Sequence, residues 1–212
     1  MPLQRETVAR AALALLDEVG FDRLTMRRLA ETLGVQNPAL YWHFKNKEDL
    51  LATMAEMMLA EGFAALMEPG VERAWDVWLA NLAHGLRRAL LSHRDGARVV
   101  AGADLSHSSL MRYDELTLSQ LRSAGFGLSD AVTGVKTVIE YTLGATFEEQ
   151  PAATGGHAGD HQPHEPESQP YPLLTEARSA MGRPESRAMM YERGLQLIIA
   201  GMRATLGTDG DP

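Results

Sequence analysis

The chain has 212 residues, 45% hydrophobic and 23% charged, with no cysteine and a formal net charge of −8. That length buries a core in one small and one medium domain, and the missing cysteines exclude a disulfide scaffold and a thiolate metal site. No stretch approaches the ~18 consecutive apolar residues of a membrane span, and Met1–Glu6 lacks the basic-then-apolar pattern of a secretory signal, so a cytoplasmic protein with no membrane partner is expected.

β-branched residues are sparse and Ala, Leu, Glu, Arg and Met abundant, which predicts an all-α fold. Residues 4–19 read as a first helix, with Val8, Ala11, Ala12, Leu15 and Leu16 at helical spacing and Gly20 as the stop. Thr25 is a natural N-cap for a short helix, Met26–Leu33, closed by Gly34. Asn37 as cap and Pro38 as first residue predict a third helix over Pro38–Phe44. Asn46 then caps a fourth helix from Lys47 to about Leu66. Pro69-Gly70 breaks the pattern before Val71–Ser92. After a turn at His93–Gly96, short helices are expected over about 97–102 and 107–124, then a long one over Leu128–Glu149. Residues 151–170 are rich in Pro, Gly, His and Glu and read as a mobile loop. Helices over Tyr171–Met181 and Glu185–Leu206 finish the chain.

The acid excess is unevenly spread. Residues 1–50 carry seven basic and seven acidic side chains, so the whole deficit lies beyond them. A basic patch on such a head still reaches phosphates, because screened charges act within ~8–10 Å. The segment LTMRRLAETLGVQNPALYWHFKNKEDLL, residues 24–51, has the logic of a helix-turn-helix. One short helix braces, Gly34 permits the turn, and the next enters the major groove. Thr25, Arg27 and Arg28 belong to the bracing helix. Gln36, Asn37, Pro38 and Ala39 open the reading helix, where an amide suits adenine and a methyl suits thymine. Tyr41, His43, Lys45 and Lys47 have the reach and polarity for phosphates, and Trp42 is a further candidate contact to the duplex beside them. Leu40 and Phe44, four apart, take the core face, which leaves the neighbouring aromatics on the surface. The other reading of this pattern is a surface helical hairpin with a solvated charge run.

These residues resemble the DNA-binding signature of the TetR family, and LYWHFKNK is similar to its tetracycline-repressor class. LLSHRDGA (90–97), AGFGLSDA (124–131), YTLGATFEEQ (141–150), YPLL (171–174) and GLQLIIAGM (194–202) extend the resemblance along the chain. It implies an N-terminal three-helix helix-turn-helix head over residues 1–48. A helical ligand-binding and dimerisation domain would span 49–207, with 208–212 as a tail. It also implies a homodimer on a palindromic double-stranded operator, through a four-helix interface made of the two long C-terminal helices. Val132, Val135, Val138, Ile139, Leu143, Leu195, Leu197, Ile198, Ile199 and Met202 are the apolar side chains available to that interface; filling the monomer core is the alternative use.

Within the resemblance, the positions that hold magnesium–tetracycline fall on Phe63, Leu82, Leu86, Val100, Ala103 and Thr117, with Glu148 reaching in from the partner. Val132 and Val135 complete the expected lining. Most of the polar groups are replaced by apolar ones, and valine cannot ligate a hard cation. The expected inducer is therefore a largely apolar small molecule, with no metal or other cofactor, oriented by Thr117 and Glu148. Packing of these side chains into a closed core is the alternative. A tetracycline-type sensor with a modified pocket, and a ligand-binding protein with a vestigial head, are the competing functions. His93 is expected to hydrogen-bond structurally near the domain junction, and His157, His161 and His164 to sit in a solvated loop. The sequence has no P-loop, dinucleotide glycine motif, HExxH or Ser–His–Asp set, so no enzyme is expected.

Overall fold

The structure, a computed structural model, describes residues 4–67, 74–105, 110–150, 171–181 and 184–206. Among these it is all-α, with ten α-helices, two short 3-10 segments and no strand. Helix α1 (Arg5–Val19) buries Val8, Ala12, Leu15 and Leu16. It ends where Gly20 takes φ 79° and donates its N–H to the Leu16 carbonyl. A 3-10 turn over Phe21–Arg23 follows. Helix α2 (Met26–Leu33) starts at Thr25, whose hydroxyl accepts from the Arg28 N–H at 3.2 Å, and stops at Gly34 in the left-handed region, φ 66°.

Helix α3 is shorter than its pattern suggested, spanning Asn37–Tyr41. Gln36, not Asn37, occupies the cap position, and Pro38 sits one residue into the helix. The expected continuation to Phe44 fails because Phe44 is drawn into the core and the chain turns there to meet α4. Helix α4 (Lys47–Phe63) is capped by Asn46, which accepts from the Asp49 N–H at 2.9 Å. It gives way to a 3-10 segment at Ala64–Met67, so the expected end near Leu66 is 3-10, not α. Because α4 runs unbroken from Lys47 to Phe63, head and body share one helix.

The body continues with α5 (Trp75–Leu91), α6 (Gly96–Ala101), α7 (Met111–Ser123), α8 (Leu128–Glu149), α9 (Pro172–Met181) and α10 (Pro184–Thr205). The expected start of α5 at Val71, the first residues of 107–124, the loop 151–170 with its three histidines, and the tail 208–212 lie outside the described residues. The core joins α1, α2, α4, α5, α6, α7, α8 and α10 in one apolar cluster. At the α4–α5 crossing the helices touch backbone to backbone. A Cβ on Gly62 would stand 2.5 Å from the Gly85 carbonyl oxygen, so only glycine permits the approach. Among the described residues no helix is long and apolar enough to cross a membrane.

Candidate nucleic-acid interface and ligand pocket

Leu40 and Phe44 are fully buried and pin α3 to the head. Burying two side chains of that size contributes roughly 1.5–3 kcal/mol each, which fixes the opposite face outward. That face presents Tyr41 at 50% and Trp42 at 88% exposure. A tryptophan so exposed is uncommon in a side chain with so much apolar surface. Gln36, Pro38 and Lys45 are also exposed, while Asn37, Ala39 and His43 are half-buried. The Oδ1 of Asn37 is buried without a partner. On α2, Thr25, Arg27 and Arg28 are exposed beside this face, with Arg27 held to Glu31 at 3.0 Å. Lys47 stands apart from the others. It is half-buried with its Nζ 4.9 Å above the Phe21 ring, and burial lowers its pKa.

The head meets the body through a polar junction of which the sequence pointed only to His93. His93 Nδ1 lies 2.8 Å from Asp17 Oδ2, and the Arg94 N–H donates to Asp17 Oδ1 at 2.9 Å. The His93 contact agrees with the structural role expected for it. Arg98 on α6 bridges Asp22 at 2.7 Å and also lies 4.5 Å over the Phe21 ring, so Phe21 carries two cations. The Arg98 hydrogen bond holds the Asp22 carboxyl below the usual carboxylate value. Asp95, buried and at φ 57°, accepts from the Phe21 N–H at 2.8 Å. Gln150, at the end of α8, donates to the Leu90 and His93 carbonyls at 2.8 and 2.9 Å and accepts from the Ala97 N–H. The turn 93–98 is thereby tied to the head on one side and to α8 on the other. Position in sequence gave no signal for these pairs, apart from the helix break at His93–Gly96.

Phe63, Leu82, Leu86, Val100 and Val135 are brought together in the buried core, and Ala103 is half-buried against it. The Phe63 ring packs 5.2 Å from that of Tyr113. Thr117 is buried too, but its hydroxyl is already engaged. It donates to the Tyr113 carbonyl at 2.7 Å and accepts from Trp78 Nε1 at 3.1 Å. These bonds use its proton and one of its two acceptor lone pairs, which leaves it able to orient a ligand only by accepting. Val132 is 45% exposed and does not join the buried set. The inward stripe of α8 runs through Ala131, Val135, Val138 and Thr142, which turns the residue after Ala131 outward. Glu148 lies in a cleft of about 540 Å³ between α8 and α10, with Glu140, Tyr141, Met190 and Tyr191.

A polar strip crosses the same core. Thr142 Oγ1 lies 3.1 Å from the Tyr191 hydroxyl, and Thr146, one turn on, has a buried hydroxyl without a partner. Arg87 bonds both carboxylate oxygens of Glu149 and stacks 4.9 Å over Tyr191. His84 pairs with Glu192 at 2.9 Å. The available signal for this strip was that Thr142 and Thr146, four apart, continue the apolar stripe of Ala131, Val135 and Val138 on α8. Among the described residues no three His, Asp or Glu side chains are grouped to hold a metal ion.

A short glycine-turned helix pair with an aromatic and basic outer face, set on an all-α body, is the build of a helix-turn-helix regulator. Comparison with known proteins specifies which. Residues 9–54 match the family of bacterial regulatory proteins of the tetR type, and residues 68–206 match the tetracycline repressor-like C-terminal domain. The chain belongs to the TetR family of transcriptional regulators. It is 43% identical over 200 residues to the class A tetracycline repressor from transposon 1721 of Escherichia coli, covering 94% of this chain and 90% of that one. A TetR variant from Acinetobacter baumannii AYE, solved with minocycline, superposes with a TM-score of 0.76 at 35% identity, over 97% of this chain and 99% of that one. BioQ, solved with its double-stranded DNA operator, gives a TM-score of 0.67 at 31% identity, over 95% and 99%.

Proposed function

We propose that this protein is a ligand-released repressor that binds a palindromic operator as a homodimer, and that its inducer is a largely apolar small molecule other than magnesium–tetracycline. The exposed face of α3, Tyr41 and Trp42 flanked by Gln36 and Lys45, is the observation that carries the operator reading. Gln36, Asn37 and Ala39 face base edges, Tyr41, His43 and Lys45 hold phosphates, and Trp42 lies against the duplex beside them. Thr25, Arg27 and Arg28 brace the groove. The operator of BioQ supports a duplex as the partner.

The long helices support the homodimer. Val138 and Leu195 fill the core of one subunit, whereas Val132, Phe147 and Leu197 are 45%, 53% and 59% exposed along α8 and α10. Gly144 and Gly201 have open space above them on those helices. An apolar face with small residues suits close approach by a second copy. Two heads on a two-fold axis would meet half-sites ~34–36 Å apart.

The inducer's chemistry follows from Phe63, Leu82, Leu86 and Val100, which offer no ligand for magnesium. A tetracycline-type drug in a modified pocket is the second reading, favoured by the class A repressor's 43% identity. In either case α4 joins Phe63 at one end to the head at the other. A ligand that favours a shifted α4 lowers operator affinity by its differential affinity for the two states.

The test is selection of duplexes from a random pool by the purified protein at moderate salt. A recovered palindrome, released by apolar aromatic compounds and not by magnesium–tetracycline, is the expected outcome. Release by magnesium–tetracycline would refute the inducer reading, and failure to enrich any sequence would refute the operator reading.

A further inference from the structure

The reading helix is only five residues long, and the chain that leaves it, Trp42 to Asn46, carries His43 and Lys45, both assigned to phosphates. That stretch is not braced by helix hydrogen bonds of its own beyond the last turn of α3. Besides the burial of Phe44, its tertiary support comes from a residue at the start of α1. We propose that Arg5 is a positioning residue for duplex binding, clamping the exit of α3 to the first turn of α4 through Asp49; the inference rests on the operator reading above.

The Arg5 guanidinium serves four groups at once. One terminal nitrogen donates to the His43 carbonyl oxygen, and the other to the Asp49 carboxylate and to Thr53 Oγ1, the last at 2.9 Å. Its Cζ lies 4.4 Å from the centre of the buried Phe44 ring. Asp49 in turn accepts from the Lys45 N–H at 2.9 Å, while its own N–H is held by the Asn46 cap. The Arg5 hydrogen bond holds the Asp49 carboxyl below the usual carboxylate range. Arg5 and Asp49 thus grip the chain on both sides of Phe44, at His43 and at Lys45. Only a planar fork with several donors makes these contacts together; an ammonium is a point charge and would keep the ion pair while losing the carbonyl and the stack.

Electrostatics alone gives the opposite sign for one of the two partners. Asp49 is a negative charge four residues from Lys45 in the phosphate-facing segment, so neutralising it should tighten duplex binding if its charge is all that matters. If it is the anchor of the clamp, neutralising it weakens binding. Asp49→Asn is the informative change, since its amide oxygen still accepts from the Lys45 N–H but the charge pair with Arg5 is gone.

The experiment titrates the parent, Arg5→Lys, Asp49→Asn and the double variant against the duplex the parent enriches, at one salt concentration. Helix content and thermal midpoint are measured alongside, to hold the folded fraction equal. The expected result is a loss of about five- to tenfold for each single variant, which is about 1.0–1.4 kcal/mol at ~1.4 kcal/mol per decade. The double variant should be no weaker than the worse single one, because the two residues act as one unit. Parental or tighter binding by Asp49→Asn would overturn the clamp, and so would additive losses, or a lower thermal midpoint with unchanged affinity of the folded protein. If the parent itself enriched no duplex, the operator reading would fall and the clamp with it; parental binding with an indifferent Asp49→Asn removes the clamp alone.

Discussion

Alanine at Gly62 is expected to destabilise this protein, although the same change on an exposed helix stabilises it by ~1 kcal/mol through helix propensity. The added Cβ would stand 2.5 Å from the Gly85 carbonyl oxygen and 2.8 Å from Ala89 Cβ. Carbon–oxygen contacts of this kind relax at about 3.3 Å or more, so α4 and α5 would have to part by roughly 0.8 Å where they cross. The obstruction is helix backbone, which cannot swing aside as a flexible side chain would. Overpacking of a tight core costs about 1–3 kcal/mol, and a rigid neighbour places this case near the top of that range. Subtracting the propensity gain leaves a net loss of about 1–2 kcal/mol. In a chain of this size that is a fall of about 2–8 °C in thermal midpoint. Thermal scans and urea titrations at one protein concentration would measure it, with an unchanged urea slope showing that the unfolded state is not the cause. A midpoint equal to or above the parent's would show that α4 and α5 separate freely, and would refute the backbone-contact argument.

Other perturbations test the remaining contacts. Tyr41→Ala should weaken binding to all duplexes by a similar factor, whereas Asn37→Ala should alter which sequences are preferred, by about 1–3 kcal/mol at one base pair. Competition titrations against mismatched duplexes decide this, and an unchanged preference would remove Asn37 from base readout. Leu197→Glu places a charge on the exposed face of α10 and should yield monomers in sedimentation; a persisting dimer would move the interface elsewhere. Asp22→Asn should lower the thermal midpoint near neutral pH and lose its effect in acid. The Arg98 hydrogen bond lowers the folded-state pKa below the ordinary 3.8. The contribution is therefore present above that value and vanishes as the pH falls through the depressed one. A difference from the parent that persisted in acid would show that the carboxylate charge is not the cause.

The head was legible because its signals are local. Thr25 and Asn46 cap helices through bonds to residues three places on, Gly34 supplies a left-handed φ, and Leu40 and Phe44 share a face by their spacing alone. The same locality explains what went astray in α3. Asn and Pro in succession mark a helix start without saying which residue is the cap, and the pull of Phe44 into the core ended the helix earlier than its period implied.

What the amino-acid sequence determined by itself was the order and type of the helices, the family through its run of motifs, and the apolar character of Phe63, Leu82, Leu86 and Val100. Only the tertiary structure decided what those residues meet. Arg5 reaches His43 and Asp49, Gly62 meets Gly85, and Phe21 gathers Lys47 and Arg98 across long stretches of chain. It also decided that Val132 faces outward and that the Thr117 proton is already given to the Tyr113 carbonyl. Helix periodicity fixes a residue's place around its own axis. Which neighbour covers each side depends on how helices distant in sequence pack, and that packing is set by the summed fit of the whole core.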